Sequence, residues 1–364
     1  MQAKEQIPHL PVYKPGKPIE EVKREYGLDE IIKLASNENP FGASPQVKEA
    51  LQKEAANMAL YPDGASYNLR QGLARFYDVN EDQIVFGNGS DEIISFITRV
   101  YLDANANTIM ATPTFPIYKT NAVIEGAEVI EVPLKDGVHD LETMKGKVND
   151  QTKVIWICNP NNPSGTYVSE DRIVAFLESI SSDILVVLDE AYCEYASAED
   201  YPDSTKLIDR FPNLFVMRTF SKIYGLASLR IGYGIGQASV VDLLNRVRAP
   251  FNANRFAQAA ALAGLEDQDY VKECYDRNLE GLQQFYRAFE DMGLSYYPSQ
   301  GNFVLVDTKR SGNEVFEALL KQGIIVRSGE ALGFPTSIRI TVGSQEQNEK
   351  IINVLKETIT EGAS

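Results

Sequence analysis

The sequence predicts an α/β fold: a large domain built on a seven-stranded, mostly parallel sheet sandwiched by helices, and a smaller α+β domain. Three observations carry this. Seven short apolar runs, at 84–86, 108–111, 128–132, 154–158, 184–188, 214–217 and 231–235, alternate with helical segments, the pattern of parallel strands covered on both faces. Beyond residue 235 the texture changes, with helical stretches over 239–292 before strand-like runs return. At 364 residues the chain exceeds one compact core of usual size. The expected division is 1–43 as an N-terminal arm with part of the small domain, 44–265 as the large domain and 266–364 as the small C-terminal domain.

Taken in order, residues 1–43 read as irregular, with a proline-rich stretch over 7–18 unsuited to a helix or a central strand. Ser36-Asn37-Glu38-Asn39-Pro40-Phe41-Gly42 is an amide-rich loop or a plain Asn-Pro turn. Ser44 can cap a helix that starts at Pro45 and runs to about Ala56. Tyr61-Pro62-Asp63-Gly64 is a turn before a helix over 69–77. Between the apolar runs, 91–102 and 169–180 read as long helices. A longer one, 267–291, is placed to bridge two domains. Strand-like runs at 294–297, 302–306, 324–326 and 337–342 then alternate with helices at 314–321 and 345–359.

Composition excludes several classes. The chain is 44% apolar and 24% charged, as in soluble globular proteins. A net charge of −16 argues against nucleic acid and anionic membrane as partners. No apolar run is long enough to cross a bilayer, and Met1-Gln2-Ala3-Lys4-Glu5 leads to no leader-like segment, so a cytoplasmic protein is expected. Cys158, Cys193 and Cys274 are too widely spaced for a disulfide framework or a metal site. Cys158, inside an apolar run, reads as buried filler. With only His9 and His139 present, and His139 in a polar loop where it should be solvated, lysine becomes the natural acid–base group.

The chemistry centres on the stretch from Thr219 to Arg230. Ser221 and Lys222 follow an apolar run, and Arg230 lies eight residues beyond Lys222. An amine, a hydroxyl and a guanidinium thus meet at a strand exit, where open α/β sheets bind ligands. A lysine there can form a Schiff base with an aldehyde, and serine with arginine suits a phosphate. Together they point to pyridoxal 5′-phosphate; the bland alternative is a solvated surface loop. Asp189 ends another run, where a carboxylate can keep a pyridine nitrogen protonated, and Tyr192 follows it. Asn162 lies in the rigid loop Asn159-Pro160-Asn161-Asn162-Pro163-Ser164-Gly165 after a third run. Gly87-Asn88-Gly89-Ser90-Asp91-Glu92 opens a helix, whose free N–H groups make a phosphate seat. Phe115 follows a further run and is able to stack on a flat ring. Each feature alone also reads as a turn, a helix cap or core.

Jointly, Asn162 in Asn-Asn-Pro-Ser-Gly, Asp189 with Tyr192, Ser221-Lys222, Arg230 and the Arg339 region resemble, in order and spacing, the aspartate aminotransferase superfamily of fold-type I pyridoxal-phosphate enzymes. Within it the chain is similar to the histidinol-phosphate aminotransferase family. The carriers are Leu10 with Tyr13-Lys14-Pro15-Gly16-Lys17-Pro18, the loop 36–42, Tyr61-Pro62-Asp63-Gly64, and Val326-Arg327 before Arg339.

That resemblance implies roles. Lys222 would bind the cofactor covalently and shuttle a proton. Asp189 would pair with the pyridine nitrogen, Asn162 and Tyr192 with its phenolic oxygen. Ser90, Asp91, Glu92, Ser221 and Arg230 would surround the phosphate, with Phe115 on the ring. Tyr61 would reach the cofactor phosphate of a neighbouring subunit, making a homodimer the working unit. Tyr13, Asn37, Arg327 and Arg339 would bind substrate: histidinol phosphate, with glutamate and 2-oxoglutarate as the amino donor–acceptor pair. No metal is implied. An aromatic amino-acid aminotransferase, a threonine-phosphate decarboxylase and a non-catalytic pyridoxal-phosphate-binding regulatory domain are the alternatives.

Overall fold

The computed structural model describes residues 2–10, 12 and 19–361. Among them thirteen strands form three sheets. In chain order they are β1 (Ile32–Lys33), β2 (Ile84–Gly87), β3 (Asn107–Thr112), β4 (Glu128–Pro133), β5 (Thr152–Cys158), β6 (Leu185–Asp189) and β7 (Leu214–Thr219). Then follow β8 (Gly232–Gly236), β9 (Ser295–Tyr296), β10 (Phe303–Asp307), β11 (Ile324–Ile325), β12 (Arg327–Ser328) and β13 (Ser337–Thr341).

The largest sheet has seven strands in the order β2-β8-β7-β6-β5-β3-β4. The pairs β3–β4, β3–β5, β5–β6 and β6–β7 are parallel, while β8 runs antiparallel to both β7 and β2. Strand alternation divides its side chains between two cores. Ile155, Ile157, Val186 and Leu188 enter one, and Val154, Trp156, Leu185 and Val187 the other. All eight are apolar because both faces are covered.

Order along this sheet positions the site. From β3 the chain steps outward to β4, then returns past β3 to β5, β6 and β7. The gap beside β3 and β5 is therefore a topological switch point, where the loops part and leave a crevice. Because β8 is reversed, its first residues lie at the same sheet edge as the last residues of its parallel neighbours. Loops distant in sequence thus converge on one edge.

A four-stranded antiparallel sheet, β12-β13-β10-β9, and a parallel pair, β1–β11, form a second body. Residues 1–43 are accordingly not wholly irregular. Ile19–Tyr26 is helical and β1 pairs with β11, which sets Leu34 into the small core. A lone two-residue strand has no pattern to read; its partner lies nearly 300 residues away. The 24-residue helix Gln268–Asp291 joins the cores, giving Val271 and Cys274 to the large one and Leu282, Phe285 and Phe289 to the small one. The latter two phenylalanines are fully buried, worth about 2–3 kcal/mol each. Ser44 caps Pro45–Glu54 as expected, its hydroxyl accepting from the Val47 N–H at 3.3 Å.

Candidate active site

A cavity of about 390 Å³ opens at the converging edge. Lys222 is on its wall, three residues beyond β7 and half-buried. Its Nζ donates to the Ser36 carbonyl at 3.4 Å and lies 5.5 Å from the centre of the Tyr192 ring. Burial, and then the Arg339 charge, push its amine down to about 8. Gly225 permits this loop. Its φ is +70°, and a Cβ there would stand 2.3 Å from the Gly42 carbonyl oxygen, so the loop closes onto residues 42–43 only with glycine.

Asp189 and Glu190 are adjacent in sequence and face opposite ways. Asp189 lines the cavity. Glu190 is fully buried behind it, 2.8 Å from Arg218 Nη2 and accepting from Ser204 Oγ at 2.5 Å. The two neighbouring carboxylates are therefore two separate devices, split by strand alternation. Burial pushes the Asp189 carboxyl up to about 6, opposed by a hydrogen bond from Tyr118. That tyrosine donates to Asp189 Oδ2 at 2.5 Å and stacks on Trp156 at 4.8 Å.

Asn162, in the loop after β5, accepts at Oδ1 from Arg339 Nη1, 2.6 Å away. Its Nδ2 has no acceptor among the described residues, and Asn162 lines the cavity. Tyr192 is 4% exposed and also lines it; burial pushes its phenol up to about 12. Asn37 lines the same wall, and its amide donates to Tyr192 Oη at 2.9 Å.

The anion seat forms where β2 ends. Ser90 begins the helix Ser90–Tyr101 and lines the cavity with Asp91. Four free N–H groups at such a helix start attract an anion. Arg230 closes the seat from the start of β8, donating to Ser221 Oγ at 3.4 Å and to Asp91 Oδ2 at 3.4 Å. Gly89 precedes the helix with φ +79°, a backbone that glycine adopts without strain, and a Cβ there would also press on the Arg230 guanidinium.

Phe115, Arg327 and Arg339 complete the expected residues on the cavity wall. Arg327 and Arg339 are register partners on β12 and β13. The Arg327 guanidinium has no hydrogen bond or ion pair among the described residues. Glu92, expected at the phosphate, points elsewhere: its carboxylate accepts from the Asn88 N–H and Asn252 Nδ2. Its helical position turns it about 200° from Ser90. Tyr61 is 79% exposed, stacks on Phe251 at 4.9 Å and does not line this cavity. Tyr13 lies outside the described residues.

Sequence reasoning missed Tyr118, Ile117 and Leu332, of which the last two line the cavity. An aromatic or aliphatic residue in a first helical turn reads as core, so no pattern marks them. Cys158 is buried as expected but also lines the cavity, beside Asp189 in register. His139 is not solvated: it is 1% exposed, its ring is held low at about 4 by burial, and Nε2 lies 3.2 Å from Asn161 Oδ1. The turn over 135–138 tucks it under the loop that carries Asn162.

These residues fit pyridoxal 5′-phosphate. A lysine amine stands on the wall, a helix start with an arginine offers an anion seat, and a buried carboxylate faces a cavity beside a phenyl ring. That carboxylate, raised by burial, is under-compensated and gains from a cationic ring nitrogen.

Comparison with known proteins agrees. Residues 29–355 match the family model for aminotransferase class I and II. A histidinol-phosphate aminotransferase of Brevibacillus brevis is 58% identical, with 99% of each chain covered. One from Bacillus subtilis strain 168 is 55% identical, covering 99% of this chain and all of that one. The crystal structure of histidinol-phosphate aminotransferase from Sinorhizobium meliloti in complex with pyridoxal-5′-phosphate superposes with a TM-score of 0.91 at 31% identity, covering 99% of this chain and 98% of that one. With a match across nine-tenths of its length, this chain belongs to the aminotransferase class I and II family.

Proposed function

We propose that this chain is a pyridoxal-phosphate-dependent aminotransferase interconverting histidinol phosphate plus 2-oxoglutarate with imidazole acetol phosphate plus glutamate. The observation that carries it is the convergence of Lys222, Asp189, Asn162 and the Arg327–Arg339 pair on one cavity. When bound, the cofactor supplies an electron sink for charge developing on the amine-bearing carbon. Lys222 Nζ would hold the cofactor covalently and, when released as a free amine, would be the base that takes and returns the proton at that carbon; a free amine held near 8 suits that base. Asp189 holds the ring nitrogen protonated. Asn162 Nδ2 and Tyr192 Oη would donate to the phenolic oxygen, and Phe115, on the same cavity wall, would pack on the ring. Ser90, Asp91, Ser221 and Arg230 bind the cofactor phosphate by N–H groups, hydroxyls and a guanidinium.

Arg327 and Arg339 bind the anionic end of the substrate. Two guanidiniums on neighbouring strands suit a dianionic phosphate through several charge-assisted bonds. The same cations accept the carboxylates of glutamate. The working unit is a homodimer in the cytoplasm. Supporting this, Met58, Leu60, Tyr61 and Phe251 are 71%, 61%, 79% and 46% exposed, an apolar surface that a second copy would cover.

The test is amino transfer from glutamate to imidazole acetol phosphate with the purified protein, with phenylpyruvate as comparison. Faster transfer to phenylpyruvate makes the chain an aromatic aminotransferase; carbon dioxide released from threonine phosphate, with no 2-oxoglutarate formed from glutamate, makes it a decarboxylase.

A further inference from the structure

Asn37 is 1% exposed and adopts a left-handed backbone, φ +55°, a conformation that asparagine tolerates better than most residues. Each of its four polar atoms makes a hydrogen bond. Its N–H donates to Thr341 Oγ1 at 3.0 Å, and its carbonyl accepts from Asn302 Nδ2 at 3.0 Å. Its Oδ1 accepts from the Thr341 hydroxyl at 3.0 Å, and its Nδ2 donates to Tyr192 Oη at 2.9 Å. Its bond to Tyr192 Oη uses one of the two Nδ2 protons, and the rest of its polar groups are taken up by Thr341 and Asn302, so the contact that ties Asn37 to the site is the one it makes with Tyr192.

Counting protons orients the network. Thr341 is 2% exposed and has one hydroxyl proton. Its oxygen already accepts from the Asn37 N–H, so that proton goes to Asn37 Oδ1. Reversing the amide would leave the Thr341 proton buried without an acceptor, at a cost of about 1–3 kcal/mol. The Asn37 Nδ2 end therefore faces Tyr192. Tyr192 Oη then accepts a hydrogen bond from Asn37 Nδ2 and keeps its own proton to donate. Among the described residues no other group takes that proton, and Tyr192 lines the cavity beside Asn162 and Lys222. We infer that the Asn37 amide, by donating to Tyr192 Oη, fixes that hydroxyl as a donor into the cavity, making Asn37 a positioning residue for the amino-transfer site.

This rests on the pyridoxal-phosphate reading above and deepens it. There the hydroxyl donates to the cofactor's phenolic oxygen. A donor at an anionic oxygen withdraws charge from it, so the nitrogen joining the cofactor to Lys222 binds its proton less tightly. Thr341 ends β13 and Asn302 directly precedes β10, so the small sheet is what holds Asn37 in place.

The experiment is a pH titration of the visible absorption band of the holoenzyme. Asn37→Asp replaces the donor with an isosteric acceptor, which draws the Tyr192 proton out of the cavity. The midpoint should rise by about one pH unit, comparable to Tyr192→Phe. Asn37→Gly keeps the left-handed backbone, loses only the amide, and should shift the midpoint upward by less. Both shifts should vanish when placed on Tyr192→Phe. An unshifted midpoint in Asn37→Asp and Asn37→Gly, with the band intact, overturns the inference. So does a shift that persists in Tyr192→Phe, which marks a through-space charge instead. A wild-type protein showing no visible band with pyridoxal phosphate, and no cofactor fixed by borohydride, overturns the reading beneath it as well.

Discussion

Arg339 Nη1 donates to Asn162 Oδ1 at 2.6 Å, and Nη2 of the same guanidinium donates to the Ala35 carbonyl at 2.8 Å. One side chain from β13 thereby ties the small sheet to the loop after β5. It also turns Asn162 Nδ2 toward the cavity and places a cation near Lys222, whose amine it helps to hold low.

Arg339→Lys keeps the charge and loses the fork. Steady-state kinetics should show KM for histidinol phosphate rising tenfold or more, on the order of 1.5–3 kcal/mol for a lost charge-assisted contact. An unchanged KM would mean that this guanidinium braces Asn162 without meeting the substrate.

Arg327→Ala should discriminate between substrates. Histidinol phosphate should weaken by about 2 kcal/mol, and phenylalanine much less. Equal losses for both, or none, would remove the case for a phosphate-selective pocket.

The Lys222 amine gives a pH signature. Its folded-state value, about 8, lies below the ordinary 10.5. The rate at which the apoprotein captures pyridoxal phosphate, followed by stopped-flow absorbance, should therefore rise with pH through about 8. In Arg339→Ala the curve should move to higher pH. The unfolded chain also holds this proton up to 10.5, so the lysine makes the apoprotein more stable as pH rises from about 8 to 10.5. Urea unfolding should show less of that rise in Lys222→Met.

Tyr118→Phe tests the support of Asp189. With its donor gone, the carboxyl, already pushed up to about 6 by burial, rises further. Cofactor affinity measured against pH should then fall off at higher pH than in the parent protein. Asp189→Ala should lower turnover far more than it lowers affinity.

The seven strands of the large sheet were legible because each carries a short, mostly apolar stretch within four to seven residues. Lys222, Asp189 and Asn162 were legible because each follows such a run directly. Contacts that depend on distant pairing were not. β1 is two residues long, and its partner comes from the other end of the chain. Tyr118 looks like core until its hydroxyl is seen at Asp189. His139 sits in a loop that reads as polar, and only the fold of residues 135–139 against 159–165 buries it. Glu92 was misplaced because proximity to a helix start does not say which face of the helix a side chain takes.

The central claim is that Lys222 is the residue that carries the cofactor. Borohydride reduction of the purified protein with pyridoxal phosphate, followed by peptide mapping, tests it most directly. The label should fall on the peptide containing Lys222 alone, and Lys222→Ala should bind the cofactor without covalent attachment and lose turnover. A label on any other lysine, or an active Lys222→Ala, would contradict the account.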